Sequence, residues 1–227
     1  MYLGSEVDAR LHEVTEDMMS YVNSSKHREI IEDALADFGA SVYIQPDEEV
    51  DLKEIQVSGV FDPQKKRKNI EILLHYNPKS MRIVLTDPQW NRLRDNLSGC
   101  MQHELIHRNQ WSRIRNKDGY GSLWDKYYKS YETDPEKVKT QEYLGEYMEI
   151  DAHAHDFMLE MKRNSTKTSP YVILRNNRSV DTTMYPTFFE YLGVFNHDRT
   201  SPAMKKFFDR TRFWVKEEVR HEGKWWK

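Results

Sequence analysis

The chain has 227 residues, a formal net charge of −3 and 38% hydrophobic residues, which fits one large domain or a core domain with an appendage. Its single cysteine excludes an internal disulfide and fits a reducing compartment. No apolar run reaches the length of a membrane span and the N-terminus lacks a secretory pattern, so we expect a cytoplasmic protein that does not contact membranes.

The first part of the chain predicts a helix followed by a small sheet. An amphipathic pattern over residues 27–38 predicts a helix that ends at Gly39. The basic cluster at residues 65–68 lacks interleaved aromatic residues, so it predicts a charged hairpin turn and does not favour nucleic-acid binding. Alternating or short apolar runs predict strands at residues 41–45, 57–61, 69–76 and 81–85.

A long helix is predicted next. Asp87 and Pro88 form a typical helix start, and Thr86 with Gln89 fits a capping box. Residues at steps of three and four then form a buried stripe, which comprises Leu93, Leu97, Cys100, His107 and Trp111.

This helix contains the motif His103-Glu104-Leu105-Ile106-His107, an H-E-x-x-H sequence. Histidines four residues apart lie one turn apart on the same helix face, so their ring nitrogens can meet one zinc ion. Zinc lowers the pKa of a water molecule, and Glu104 is placed to take the proton from that water. The motif therefore predicts metal-assisted attack on a peptide carbonyl. Cys100 lies on nearly the same face, but its short side chain is a poor candidate for the same ion.

A third ligand is expected from a second helix that starts near Tyr143. Glu149 is the preferred ligand, and the small residue Ala152 would let this helix approach the first one closely. His153, one turn after Glu149, is an alternative ligand or a hydrogen-bond donor to the reacting oxygen. Asp151 and Asp156 are candidates to orient a metal-bound imidazole.

The last part of the chain predicts a mainly helical extension. A polar linker at residues 164–170 divides a domain at residues 1–163 from an extension at residues 164–227. Ser201 and Pro202 start a further amphipathic helix. Trp225 and Trp226 either pack back onto the domain or form a docking element.

His103-Glu104-x-x-His107 with the downstream Glu149-x-x-Ala152 resembles the zincin metallopeptidases in their glutamate-ligand branch, the gluzincins. Residues 149–156 are similar to a pattern in uncharacterised phage-encoded metallopeptidases and, more loosely, in the ImmA/IrrE peptidases. The resemblance covers residues 87–161. It implies an α+β, zincin-like fold, with a small mixed sheet packed on the motif helix and on a second ligand-bearing helix. It also implies that His103, His107 and Glu149 bind Zn²⁺ and that Glu104 is the general base.

A second resemblance concerns residues 118–124, which are similar to the segment after H-E-x-x-H in SprT-like DNA-protein crosslink proteases. The histidine ligand of that family is replaced here by Tyr120, which is a poor zinc ligand. Tyr120 is instead a candidate donor to the tetrahedral oxyanion.

The sequence therefore favours a zinc metallopeptidase that acts on a protein or peptide substrate. The first alternative is a non-catalytic phage virion or assembly protein, with His153 as a fourth ligand that closes a structural zinc site. Other phage or virion proteins would then be its partners, and the host cytoplasm or the virion its location. The second alternative is a SprT-like DNA-associated protease.

Overall fold

The structure is a computed structural model, and it describes residues 4–21, 24–80, 84–115, 133–165, 167–176 and 182–226. These residues form nine α-helices and a small mixed sheet, so the fold class is α+β, as predicted. The chain divides into two compact units, Met1–Arg108 and Asn109–Lys227.

The helices are α1 (Gly4–Glu13), α2 (Thr15–Ser20), α3 (Ser24–Leu35), α4 (Asp87–Arg115), α5 (Pro135–Leu144), α6 (Tyr147–Asn164), α7 (Pro170–Arg175), α8 (Pro186–Val194) and α9 (Pro202–Glu222). The strands are β1 (Ala40–Pro46), β2 (Gln56–Phe61) and β3 (Ile70–Tyr76). Within the described part of the chain, no helix is long and apolar enough to cross a membrane.

The sheet of the first unit has the strand order β1-β3-β2. The central strand β3 is parallel to β1, with Ala40 opposite Ile70, and antiparallel to β2, with Phe61 opposite Ile70. Buried and half-buried residues alternate along β3, so one sheet face is turned toward the core. Because β3 is the central strand, β2 lies at one edge of the sheet among the described strands.

Three of the four predicted strands are confirmed, and the fourth is not. Val84 and Leu85 lie in an irregular segment before α4, and the rest of the predicted strand at residues 81–85 is outside the described residues. Leu85 is nevertheless buried in the core of the first unit. A short apolar run next to a helix start can satisfy the strand pattern by burial alone, which explains why the prediction fails at Val84 and Leu85.

The predicted helix starts are confirmed with one adjustment. The backbone carbonyl of Thr86 accepts the first helical hydrogen bond, from Trp90 N at 2.9 Å. Thr86 N in turn donates to Gln89 Oε1 at 3.0 Å, which is one half of a capping box. At the other end of the sheet region, Gly39 follows α3 in the left-handed conformation with φ 78°, as the sequence predicted.

The second helix of the predicted site is shorter than predicted. Tyr143 belongs to α5, which ends at Leu144, and α6 begins at Tyr147 with Glu146 as its extended N-cap residue. The backbone N–H of Gly145 bonds to Gln141 O, so the first helix is closed before the second one starts. Glu149 therefore lies in the first turn of α6.

The C-terminal residues pack as a helical layer in the second unit. Ser201 caps α9 by accepting a hydrogen bond from Met204 N at 3.2 Å. Trp225 and Trp226 pack against the same apolar cluster, which supports the packing alternative for these two residues. The predicted inner face of α9 is buried throughout and comprises Met204, Phe207, Phe208, Thr211 and Val215.

Candidate functional site

The two motif histidines face each other on α4. His107 Nε2 lies 3.0 Å from His103 Nε2, and the two rings meet edge to face with centroids 4.7 Å apart. His107 is buried and His103 is half-buried. The four-residue spacing therefore brings the two imidazoles together as predicted, with their Nε2 atoms in contact.

Glu104 lies next to the sheet, directly opposite Gly59 of β2. A methyl group placed on Gly59 would lie 3.0 Å from Glu104 Cγ, 3.2 Å from Glu104 Oε1 and 2.6 Å from Cys100 Sγ. Glu104 is 6% exposed. The missing side chain at residue 59 thus lets the backbone of β2 approach the carboxylate of the motif.

Another polar group lies on β2 and β3. Ser58 Oγ is 2.7 Å from His75 Nε2, whereas His75 Nδ1 is 3.9 Å from Asp47 Oδ2. The second distance is too long for a hydrogen bond. Asp47 therefore does not orient His75, and the Ser58–His75 bond is a cross-strand link and not part of a serine triad.

In the second unit, three predicted site residues lie on one face of α6, namely Glu149, His153 and Asp156. His153 Nε2 lies 3.9 Å from Glu149 Oε2, and His153 Nδ1 lies 3.6 Å from Asp156 Oδ2. Glu149 is 8% exposed. A buried carboxylate in this position needs a positive partner or a metal, because an uncompensated buried charge is strongly unfavourable.

Tyr191 of α8 lies beside this group and was not recognised in the sequence. Its ring centroid is 5.5 Å from that of His153, and its hydroxyl donates to Leu144 O at 3.1 Å. Burial, together with the negative charges of Glu149, Glu190 and Asp156, raises the pKa of the Tyr191 hydroxyl well above its usual range. The phenol therefore stays neutral, and its ring packs beside His153.

Asp151 has a different position from the one predicted. Its Oδ1 accepts from Arg210 Nε at 2.7 Å and from Trp214 Nε1 at 2.9 Å, while its Oδ2 accepts from Gln110 Nε2 at 3.1 Å. Both oxygens are thus occupied by groups from α4 and α9. Asp151 holds these helices to α6, and none of these bonds orients an imidazole.

Other candidates give a mixed outcome. His155 is buried and packs edge to face on Trp214 with ring centroids 4.9 Å apart. Asp156 contacts His153, as described above. Tyr120 and the whole segment at residues 118–124, on which the SprT-like alternative depends, lie outside the described residues.

Sequence reasoning missed several supporting residues for identifiable reasons. A glycine inside a strand indicates a bulge or a close backbone approach, so Gly59 carried a signal that was available. Gln110, Tyr191 and Arg210 gave no such signal, because their importance comes from partners more than 35 residues away in the chain.

Comparison with known proteins finds no match: no family model, no curated protein and no solved structure is similar to this chain.

Proposed function

We propose that this protein is a zinc-dependent metallopeptidase with a zincin-like fold, in which His103, His107 and Glu149 bind the metal and Glu104 is the general base. The observation that carries the proposal is the 3.0 Å separation of the two Nε2 atoms on α4. Two nitrogens that bind zinc tetrahedrally at about 2.0–2.1 Å lie about 3.3 Å apart. The imidazole pair is therefore close to the spacing that zinc requires.

The donor set also fits this metal. Two imidazoles and one carboxylate are typical of catalytic zinc sites, which keep a fourth position open. His103 and His107 of the first unit and Glu149 of the second unit are the three proposed donors. This agreement supports zinc over calcium or magnesium, which prefer sites made of oxygen ligands only.

The contacts of Gln110 support Glu149 as the third ligand. Gln110 lies three residues after His107 on the same continuous helix, which is about 4.5 Å along its axis. Its amide donates to Met148 O at 3.4 Å and to Asp151 Oδ2 at 3.1 Å, so it bonds to residues on both sides of Glu149 in the chain. We therefore propose that the carboxylate of Glu149, in this turn of α6, is the third ligand.

When bound, zinc would supply Lewis acidity toward a water molecule and the scissile carbonyl. Glu104 would take a proton from water as a general base and return it to the departing amine as a general acid. His153 donates a hydrogen bond to the reacting oxygen. We propose β2 as the strand that holds an extended peptide substrate by main-chain pairing, because Gly59 brings this strand against Glu104.

The proposal also includes the cellular compartment of the protein. The single cysteine fits a reducing compartment, and we propose the cytoplasm, or the host cytoplasm or virion if the chain is phage-encoded.

The proposal is tested by separating metal binding from hydrolysis. Glu104→Gln should retain one zinc per chain by metal analysis and lose hydrolysis of a fluorescently labelled unfolded protein by a factor of about 10² or more. His103→Ala should lose both zinc and activity. Asp95→Asn, a carboxylate-to-amide change on the same helix, is the matched control and should leave both unchanged. Full activity in Glu104→Gln would contradict the assigned base.

A structural zinc site is the second candidate function. His153 Nε2 lies 3.9 Å from Glu149 Oε2, and as a fourth protein ligand His153 would close the site to water. In that case His153→Ala should weaken zinc binding strongly in a protein without hydrolytic activity. The peptidase proposal expects the opposite result, with zinc retained and kcat reduced.

A further inference from the structure

The second unit contains a cavity that the proposed peptidase chemistry does not use. It has a volume of about 640 Å³, and its lining residues come from α7, from the loop before α9 and from α9 itself. This volume falls within the range of small-molecule sites, about 300–1,000 Å³. Tyr171 and Val172 in its lining are 40% and 38% exposed, so a ligand can enter from solvent.

Three arginines line this cavity, namely Arg175, Arg199 and Arg212, and none of the described lining residues is acidic. Arg212 pairs with Asp209 at 2.8 Å, but both side chains are exposed, and an exposed pair of this kind is weak. An anion bound in the cavity would be attracted by the positive charges of these side chains. Their planar donor arrays also match carboxylate and phosphate oxygens.

The remaining wall is apolar and aromatic. Phe208 is buried at the inner side, and the Tyr171 ring meets the Trp226 ring edge to face with centroids 6.1 Å apart. Arg199 lies over the Phe188 ring at 5.4 Å, which fixes its guanidinium group near the cavity. The cavity therefore combines a cationic rim with a surface suited to a flat or aliphatic hydrocarbon body.

We propose that this cavity binds a small amphipathic organic anion, whose carboxylate or phosphate lies against the arginines and whose hydrocarbon body lies against Tyr171 and Phe208. The site is separate from the motif histidines. It does not depend on whether the protein is a peptidase.

Calorimetric titration of the full chain with 1-naphthoate, 1-naphthyl phosphate and the neutral 1-naphthamide tests the proposal. We expect at least one of the two anions to bind at about 1 mM or below, and the neutral compound to bind about tenfold more weakly or not at all. The tighter of the two anions identifies the preferred head group. Equal binding of 1-naphthamide, or no binding of either anion, would overturn the proposal.

Variants locate the site. Arg175→Gln and Arg212→Gln should each weaken binding of the anion by about tenfold, and Arg212→Lys should weaken it less because the charge remains. Arg220→Gln is the matched control, since Arg220 is an exposed arginine on the same helix outside the cavity lining. Circular dichroism of each variant verifies folding. Unchanged affinity in both Arg175→Gln and Arg212→Gln, or an equal loss in Arg220→Gln, would assign binding elsewhere.

Discussion

The position of Glu104 depends on the absence of a side chain at Gly59. Gly59 has an ordinary strand conformation, and its importance comes from space rather than from backbone freedom. The nearest atoms to a side chain at this position belong to Cys100 and Glu104, at 2.6 Å and 3.0 Å. Because these atoms lie on a buried helix face, they have little room to move.

We therefore expect Gly59→Ala to displace Glu104 from its position next to β2. Overpacking of this kind costs about 1–3 kcal/mol of the free energy of unfolding. If the proposed function holds, hydrolysis should fall about tenfold or more while zinc remains bound. Urea unfolding and metal analysis measure the two effects separately.

The control for this variant is Gly193→Ala on α8, where an added methyl group meets no atom within 4 Å. It should be neutral or slightly stabilising. Gly59→Ala combined with Cys100→Ala removes the shortest overlap and should recover part of the lost stability. A Gly59→Ala protein as stable as the wild type would show that β2 is not confined by α4.

At this scale, sequence reasoning identified residues through spacing and missed residues that act through distant partners. The pairing of His103 with His107 followed from helical periodicity alone. Asp151 was recognised as a polar residue near the site, but its bonds to Gln110 and Arg210 join three helices. No local pattern encodes such contacts, so the sequence offered Asp151 only as a candidate to orient an imidazole.

Among the elements, the three strands and the helices α3, α4 and α9 were predictable because their apolar periods are clear, whereas α1, α2, α7 and α8 were not predicted. The boundary between α5 and α6 was not, because Tyr147 and Ile150 continue the apolar spacing across the break at Gly145. The break itself is decided by Glu146, which adopts an extended conformation. The helix start at Ser201 was found because serine followed by proline is a strong local signal.

One helix start depends on a residue from another element. Thr187, at the start of α8, donates from its backbone N at 3.0 Å and from its Oγ1 at 2.6 Å to Glu160 Oε1 on α6. The N-cap residue Tyr185 provides no side-chain cap. Glu160 thus supplies the acceptor that the local sequence lacks.

Glu160 should make the stability depend on pH. Burial raises the pKa of its carboxyl from 4.5 to about 7, although the bonds from Thr187 lower it. Between these values the folded protein holds a proton that the unfolded chain has lost. The free energy of unfolding therefore falls as pH rises through this interval, by about 3 kcal/mol in total from this group.

Glu160→Gln retains the acceptor for Thr187 but cannot ionise. We expect it to be more stable than the wild type at about pH 8 and nearly equal to it at about pH 5, as measured by urea unfolding. Glu136→Gln, at an exposed glutamate of α5, should keep the wild-type pH dependence. A Glu160→Gln protein with an unchanged dependence would mean that another group titrates in this range.

For the whole molecule, each unit has its own apolar cluster. The cluster of the first unit extends from Val7 to Leu105 in the chain, and that of the second from Leu144 to Val215. Sequence patterns predicted the members of these clusters on α3, β3, α6 and α9 in part, and they did not predict the members on α1, α7 and α8. They did not predict the 3.9 Å spacing between His153 and Glu149, because spacing between side chains depends on rotamers that no periodicity specifies.

Metal binding should appear as a gain in stability of the whole chain. A ligand that binds only the folded state stabilises it by about 2.7 kcal/mol at a concentration of about 100 Kd. For a chain of this size, this corresponds to an increase of about 5–10 °C in Tm. Differential scanning calorimetry with and without zinc measures it.

His103→Ala and His107→Ala should abolish this increase, and the exposed His221→Ala on α9 should retain it. A zinc-dependent increase that survives the loss of both motif histidines would place the metal elsewhere. This measurement needs no substrate, so it tests the metal site independently of hydrolysis.

Cys100 has a practical consequence. It is the only thiol in the chain, and it lies beneath the backbone of Gly59, one turn before the motif histidines. Cys100 is half-buried, so local separation of β2 from α4 would increase its access to a thiol-directed reagent. The rate at which Cys100 is labelled should therefore report the local opening of this strand. A peptide that binds to the strand should lower that rate.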